Sequence, residues 1–175
     1  MSTTTVKSGT ELFSKYINKY KDQVKTESSE EYYHVNVVAD AYNQGFSDGK
    51  NSGKKDFVEA IVKGKVEKFI QKANQVYILS QNLITHLVKQ GYKADSLYIN
   101  MYPNCPKVVL SISDEFLLDD KFVETAYEKI LENKGIFTKL FAPSSLDISL
   151  VSTEHLDPKL LKEDGFGYEE VLKAK

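Results

Sequence analysis

Leu97-Tyr98-Ile99-Asn100-Met101-Tyr102 alternates apolar and largely polar side chains, and the alternation returns in Val108-Val109-Leu110-Ser111-Ile112-Ser113 and in Leu146-Asp147-Ile148-Ser149-Leu150-Val151. Successive residues of a strand point to opposite faces, so Leu97, Ile99 and Met101 share one face, as do Val108, Leu110 and Ile112, and Leu146, Ile148 and Leu150. Three strands with one greasy face each predict a small antiparallel sheet covered by helices on that face. Pro103-Asn104-Cys105-Pro106 reads as the short connection of a hairpin between the first two.

Helices surround these strands in sequence. Between the second and third, residues 120–133 place Phe122, Val123, Ala126, Tyr127, Ile130 and Leu131 inward at helical spacing, with Asp119 as N-cap and Gly135 just beyond the end. A helix of that length suits a crossover returning the chain to the same sheet. Upstream, Val62, Val66, Phe69, Ala73, Val76, Ser80, Leu83 and Leu87 step by fours and threes, widened by Ile70, Tyr77 and Ile84. The stripe is broader than a coiled-coil seam, which fits a helix from Lys54 to about Gln90 lying on its own protein's core, ended by Gly91 and broken near its start by Gly64. A first amphipathic helix, Thr10 to Val24, carries Leu12, Phe13, Tyr16, Ile17, Tyr20 and Val24 on one side. Asp157-Pro158 opens a short helix through Leu160 and Leu161, and Glu169 to Lys175 is expected to fray or add a last helical turn.

The expected fold is α+β, with a helical N-terminal half, a small antiparallel sheet covered on one face, and the element order α-α-α-β-β-α-β-α. Three regions follow: residues 1–31 as amphipathic helix and linker, 32–92 as a helical region, and 93–175 as an α+β region packing on the long helix.

Ala41, Gly45, Gly49 and Gly53 recur at a four-residue interval, with Tyr42 and Phe46 beside them. On a helix these small residues form a strip that a second helix approaches closely. In water glycine costs a helix about 1 kcal/mol relative to alanine, so a loop through Asp48-Gly49-Lys50-Asn51-Ser52-Gly53 stands as the alternative. Over residues 41–53 the spacing resembles the glycine-repeat stretch of the flagellar export-ATPase regulator family, where such repeats mediate helix pairing.

Composition narrows the function classes. The chain has 175 residues, 41% hydrophobic and 27% charged, the proportions of a globular domain. No run reaches the roughly 20 apolar residues that cross a bilayer. Met1-Ser2-Thr3-Thr4-Thr5-Val6-Lys7 has no apolar signal core, so a cytoplasmic location is expected. Cys105 is the single cysteine, for which a turn or packing role is expected. Every basic residue is lysine and the net charge is −2. Without arginine, the side chain best suited to bidentate phosphate contacts, nucleic acid is not an expected partner. Lysines between Lys50 and Lys72 and acids between Asp114 and Glu132 form two zones of opposite charge. They meet within the fold, meet across copies, or face solvent.

Chemistry is sparse. His34, His86 and His155 show no metal-ligand spacing, and there is neither a phosphate-binding glycine loop nor a nucleophile elbow. Glu154, His155 and Asp157 read as surface loop residues. The run Asp114-Glu115 with Asp119-Asp120 is accounted for by the dipole of the following helix. No catalytic residue, cofactor or metal is expected. The expected function is non-enzymatic: a protein–protein interaction or assembly module that self-associates through its N-terminal helices. Its interaction surface would include Ala41, Tyr42, Gly45, Phe46 and Gly49, with Tyr98, Asn100 and Tyr102 on the polar sheet face. The alternative is a small-ligand site or enzyme on that face, gathering Tyr98, Asn100, Tyr102, Ser111, Asp147 and His155. Helices of the same chain or a partner subunit would cover the face in the first reading; a pocket would open there in the second.

Overall fold

The computed structural model describes residues 10–18, 51–101 and 105–172, the stretch 51–58 by its backbone alone. Residues 10–18 are helical (α1). There follow α2 (Asn51–Lys89), β1 (Ser96–Asn100), β2 (Lys107–Ile112), α3 (Asp114–Leu117), α4 (Asp120–Phe141), β3 (Asp147–Ser152), α5 (Pro158–Glu163) and β4 (Tyr168–Val171). The chain divides into two compact units: Met1–Phe13 with Lys72–Lys175, and Ser14–Gln71. In the second unit, Tyr16, Ile17 and Val66 are buried. The first holds the sheet. Among the described residues no helix is long and apolar enough to cross a membrane.

The fold is α+β, with a mixed four-stranded sheet in the order β3-β2-β1-β4. Two expectations are corrected here. β2 and β3 run parallel, Val108 opposite Ile148 and Leu110 opposite Leu150, whereas an antiparallel sheet was expected. The reason is α4: its 22 residues span about 33 Å, enough to carry the chain back along the sheet, so β3 starts at the same end as β2. The segment expected to fray or coil, from Glu169 onward, instead supplies β4. It pairs antiparallel with β1, Tyr168 opposite Ile99 and Glu170 opposite Leu97.

This register puts Leu97, Ile99, Val108, Leu110, Ile112, Ile148, Tyr168 and Glu170 on one face. α2 covers it, since Tyr77 and Gln81 reach Glu170 from there, and α4 lies beside α2, since Asn133 donates to the Leu79 carbonyl. Ala73, Val76, Leu83 and Leu87 of α2 and Phe122, Ala126 and Phe137 of α4 are 0% exposed.

Helix ends follow local chemistry. α2 stops at Gly91, whose φ of +89° admits the left-handed turn, with the Gly91 and Tyr92 amides donating to the Val88 and Leu87 carbonyls. Gly165 closes α5 the same way, through Lys162 and Leu161. Asp119 caps α4 as expected, accepting from the Lys121 amide at 3.0 Å. Gly64 does not break α2, which is continuous across it. Nor does Gly135 end α4, which runs on to Phe141, because burial of Phe137 beyond it outweighs the roughly 1 kcal/mol a helical glycine costs. It stops at Ala142, held extended at ψ 138° before Pro143. With the buried stripe running Phe122-Ala126-Ile130-Asn133-Phe137, Tyr127 and Leu131 face outward, at 49% and 67% exposure, and not inward as expected.

Candidate functional site

The polar sheet face is not an open surface. Tyr98, Asn100, Val109 and Ser111 are 3%, 5%, 7% and 1% exposed. The chain after β3 covers them: Tyr98, Val109 and Phe166 pack together, with Val151, Leu156 and Leu161 against them. Asn100 donates through Nδ2 to the Asp164 carbonyl at 3.0 Å, fixing the end of α5. Tyr98 donates to Glu169 Oε1 at 3.4 Å, while Lys162 reaches Glu169 Oε2 at 3.1 Å. Tyr98 and Asn100, expected on an interaction surface, therefore hold the molecule's own second layer. The cover on these residues is α5 and its flanks.

Tyr102 and Ala41, Tyr42, Gly45, Phe46 and Gly49 lie outside the described residues. Asn51, Ser52 and Gly53, part of the alternative loop, begin α2. Of the six residues suggested for a ligand site, the five that are described do not all converge. Asp147, exposed at the start of β3, sits 3.3 Å from Lys134 Nζ, while His155 lies past the far end of that strand, Nε2 3.7 Å from Asp114.

Ligands of open α/β sheets bind outside the carboxyl ends of parallel strands, and here β2 and β3 end near several carboxylates. Each has a structural task. Glu154 Oε2 accepts from the Asp114 amide at 3.2 Å and from the Ser152 hydroxyl at 3.1 Å. Asp95 accepts from Thr153 at 2.6 Å, and Asp157 caps α5 by accepting from the Lys159 amide at 2.8 Å. No group of three or more His, Cys, Asp or Glu able to hold a metal occurs among the described residues.

Polar groups do converge where sequence reading placed none, on Glu170 of β4. Its Oε2 accepts from the hydroxyls of Tyr168 at 2.8 Å and Tyr77 at 3.4 Å and from Gln81 Nε2 at 3.3 Å. Phe13 of α1 stacks on Tyr77 at a centroid distance of 4.3 Å and meets Tyr168 edge-on at 5.1 Å. Burial, then the neighbouring Glu170 carboxylate, raise the Tyr77 pKa above its ordinary value; burial, then the hydrogen bond to Glu170, raise that of Tyr168. Both phenols stay protonated donors. Three aromatics with a carboxylate are the parts of a cage for a quaternary ammonium ion. Here the rings are in contact with one another and Phe13 and Tyr168 are 3% exposed, so the cage is filled by its own walls. The cluster ties β4 to α2 and α1. Its only sequence signal was the alternation Tyr168-Glu169-Glu170-Val171, which puts the two glutamates on opposite faces.

Cys105 is exposed and accepts a hydrogen bond from the Ser145 hydroxyl at 3.2 Å. That bond and one from the Ser145 backbone, with the charges of Lys72 and Lys107, lower the thiol pKa from its ordinary value.

Comparisons with protein-family models, with curated proteins and with solved structures found no match for this chain.

Proposed function

We propose that this protein is a binding or assembly module that contacts a protein partner, in the simplest case its own copy, through its N-terminal helices. The supporting observation is the uneven burial of one apolar stripe on α2. From Ala73 through Val76, Ser80 and Leu83 to Leu87 the stripe is 0% exposed. Over the preceding turns Val66 is buried, but Val62, Phe69 and Ile70 are only half-buried. The helix is about 58 Å long, whereas strands of five or six residues need about 20 Å of cover. Apolar surface at helical spacing is what helix-in-groove recognition uses. The filling of the second sheet face by Phe166 and Leu161 speaks against the ligand-site alternative, which needs that face open.

The test is light scattering coupled to size-exclusion chromatography on the full chain and on Phe69→Asp. Self-association of the wild type that Phe69→Asp removes, with the thermal transition of the sheet unit kept, is the expected result. A wild type that stays monomeric at every concentration, or an oligomer indifferent to Phe69→Asp, would overturn self-association through this surface.

A further inference from the structure

We propose that the outward face of α4 is a self-complementary contact that pairs antiparallel with the same helix of a second copy. This rests on the self-assembly form of the function proposed above, but it uses a different surface. Phe122, Ala126, Ile130, Asn133 and Phe137 take the inward side of α4. On the opposite side Tyr127 and Leu131, one turn apart in the middle of the helix, are 49% and 67% exposed. One further turn on, Gly135 is exposed, and a Cβ placed there would meet nothing within 4 Å. The middle of this face is thus two apolar projections followed by an indentation.

Charge fixes the occupant and its direction. Glu124 and Glu128 stand exposed on the N-terminal part of the face and Lys139 on the C-terminal part. A parallel copy would set glutamates against glutamates. An antiparallel copy turned about Leu131 sets Leu131 against its own counterpart and Tyr127 at the level of Gly135 of the second copy. Glu124, seven residues before Leu131, comes to the level of Lys139 of the second copy, eight residues after it. A two-fold axis through Leu131 makes the Tyr127–Gly135 and Glu124–Lys139 contacts twice and the Leu131 contact once, which is how an isologous interface closes on itself. One helix pair buries less than the roughly 1,200 Å² of a standard interface, so the dimer is weak and concentration-dependent.

Sedimentation velocity of the full chain over a roughly hundredfold concentration range reads the dissociation constant directly. Glu124→Lys and Lys139→Glu should each weaken the dimer about tenfold, and the double variant should regain wild-type affinity to within about threefold. In a Cys105→Ser background, Leu131→Cys should form a disulfide-linked dimer on mild oxidation, since the axis passes through that position. Circular dichroism verifies that each variant is folded. A monomeric wild type, or a dimer that neither charge reversal weakens and that Leu131→Cys fails to cross-link, would overturn the inference. Phe69→Asp separates the two proposals: loss of association there with indifferent charge reversals sinks the α4 contact alone. The opposite pattern upholds the α4 contact and sinks the α2 surface.

Discussion

Glu170 Oε2 collects three donors, and each would lose a partner if the carboxylate were removed. Removing the acceptor that three donors share breaks three bonds of about 1 kcal/mol each where Tyr168→Phe breaks one of them, so Glu170→Ala should destabilise the protein more than Tyr168→Phe does. The two changes combined should fall short of their sum, as a double-mutant cycle in urea would show; additive values would mean that the 2.8 Å bond contributes nothing. Asn133 presents the opposite case. Fully buried between α4 and α2, it donates Nδ2 to the Leu79 carbonyl at 3.0 Å while its Oδ1 has no hydrogen-bond partner in the fold. A buried acceptor left unpaired costs about 1–3 kcal/mol, and the Leu79 carbonyl retains its helical bond without Asn133. Asn133→Leu, close in volume, is therefore expected to be neutral or stabilising, and Asn133→Ala to lose about 2 kcal/mol or more by opening a cavity. Urea midpoints of the two variants decide it; a large loss in Asn133→Leu would show that the amide holds the helices together.

Among the elements, glycine separates two opposite predictions. Gly64 lies inside α2, and a Cβ there meets nothing within 4 Å, so Gly64→Ala should raise stability by about 0.5–1 kcal/mol. Gly165 sits at φ +89° with Asn100 Nδ2 3.1 Å from where its Cβ would stand. Gly165→Ala should cost about 1–2 kcal/mol and loosen α5, which faster amide exchange at Phe166 would report. Both ends of this scale were partly legible in sequence. Alternation located β1, β2 and β3 to within a residue or two, and Asp119, Asp157-Pro158 and Gly91 marked helix boundaries, because strand period and capping are local chemistry. What escaped depends on residues distant in sequence. The phase of α4 could not be read, since Phe122-Ala126-Ile130 continues equally well into Leu131 or, as the fold has it, into Asn133 and Phe137. β4 is four residues with two glutamates, and partners from elsewhere, Tyr77, Gln81, Tyr98 and Lys162, make them acceptable in a sheet. The Glu170 cluster was invisible for the same reason, and the sheet's second cover came from a segment too short to show a period.

For the whole molecule, the C-terminal strand acts as a strap fastened on both faces of the sheet. Glu169 is held by Tyr98 and Lys162 on one side, and Glu170 by Tyr168, Tyr77 and Gln81 on the other. Every phenol in these contacts is a donor that must keep its proton, and burial followed by the adjacent carboxylate raises the pKa of Tyr77 and Tyr98, as burial followed by the Glu170 bond does for Tyr168. In the unfolded chain the same phenols titrate near the ordinary value of 10.0. Below that pH both states hold the proton and the stabilisation is complete. Above it the unfolded chain releases protons that the folded one retains, so the unfolded state binds fewer and stability falls as pH rises. The expected outcome is a urea midpoint steady up to about pH 9 and declining beyond about pH 10. Lysines also titrate in that range, so the contribution of the strap is the difference between wild type and Tyr168→Phe: the variant should start less stable and decline less steeply. Parallel declines for the two proteins would show that Tyr168 does not couple proton release to unfolding and that the strap is held by packing of Phe13, Phe166 and their neighbours alone.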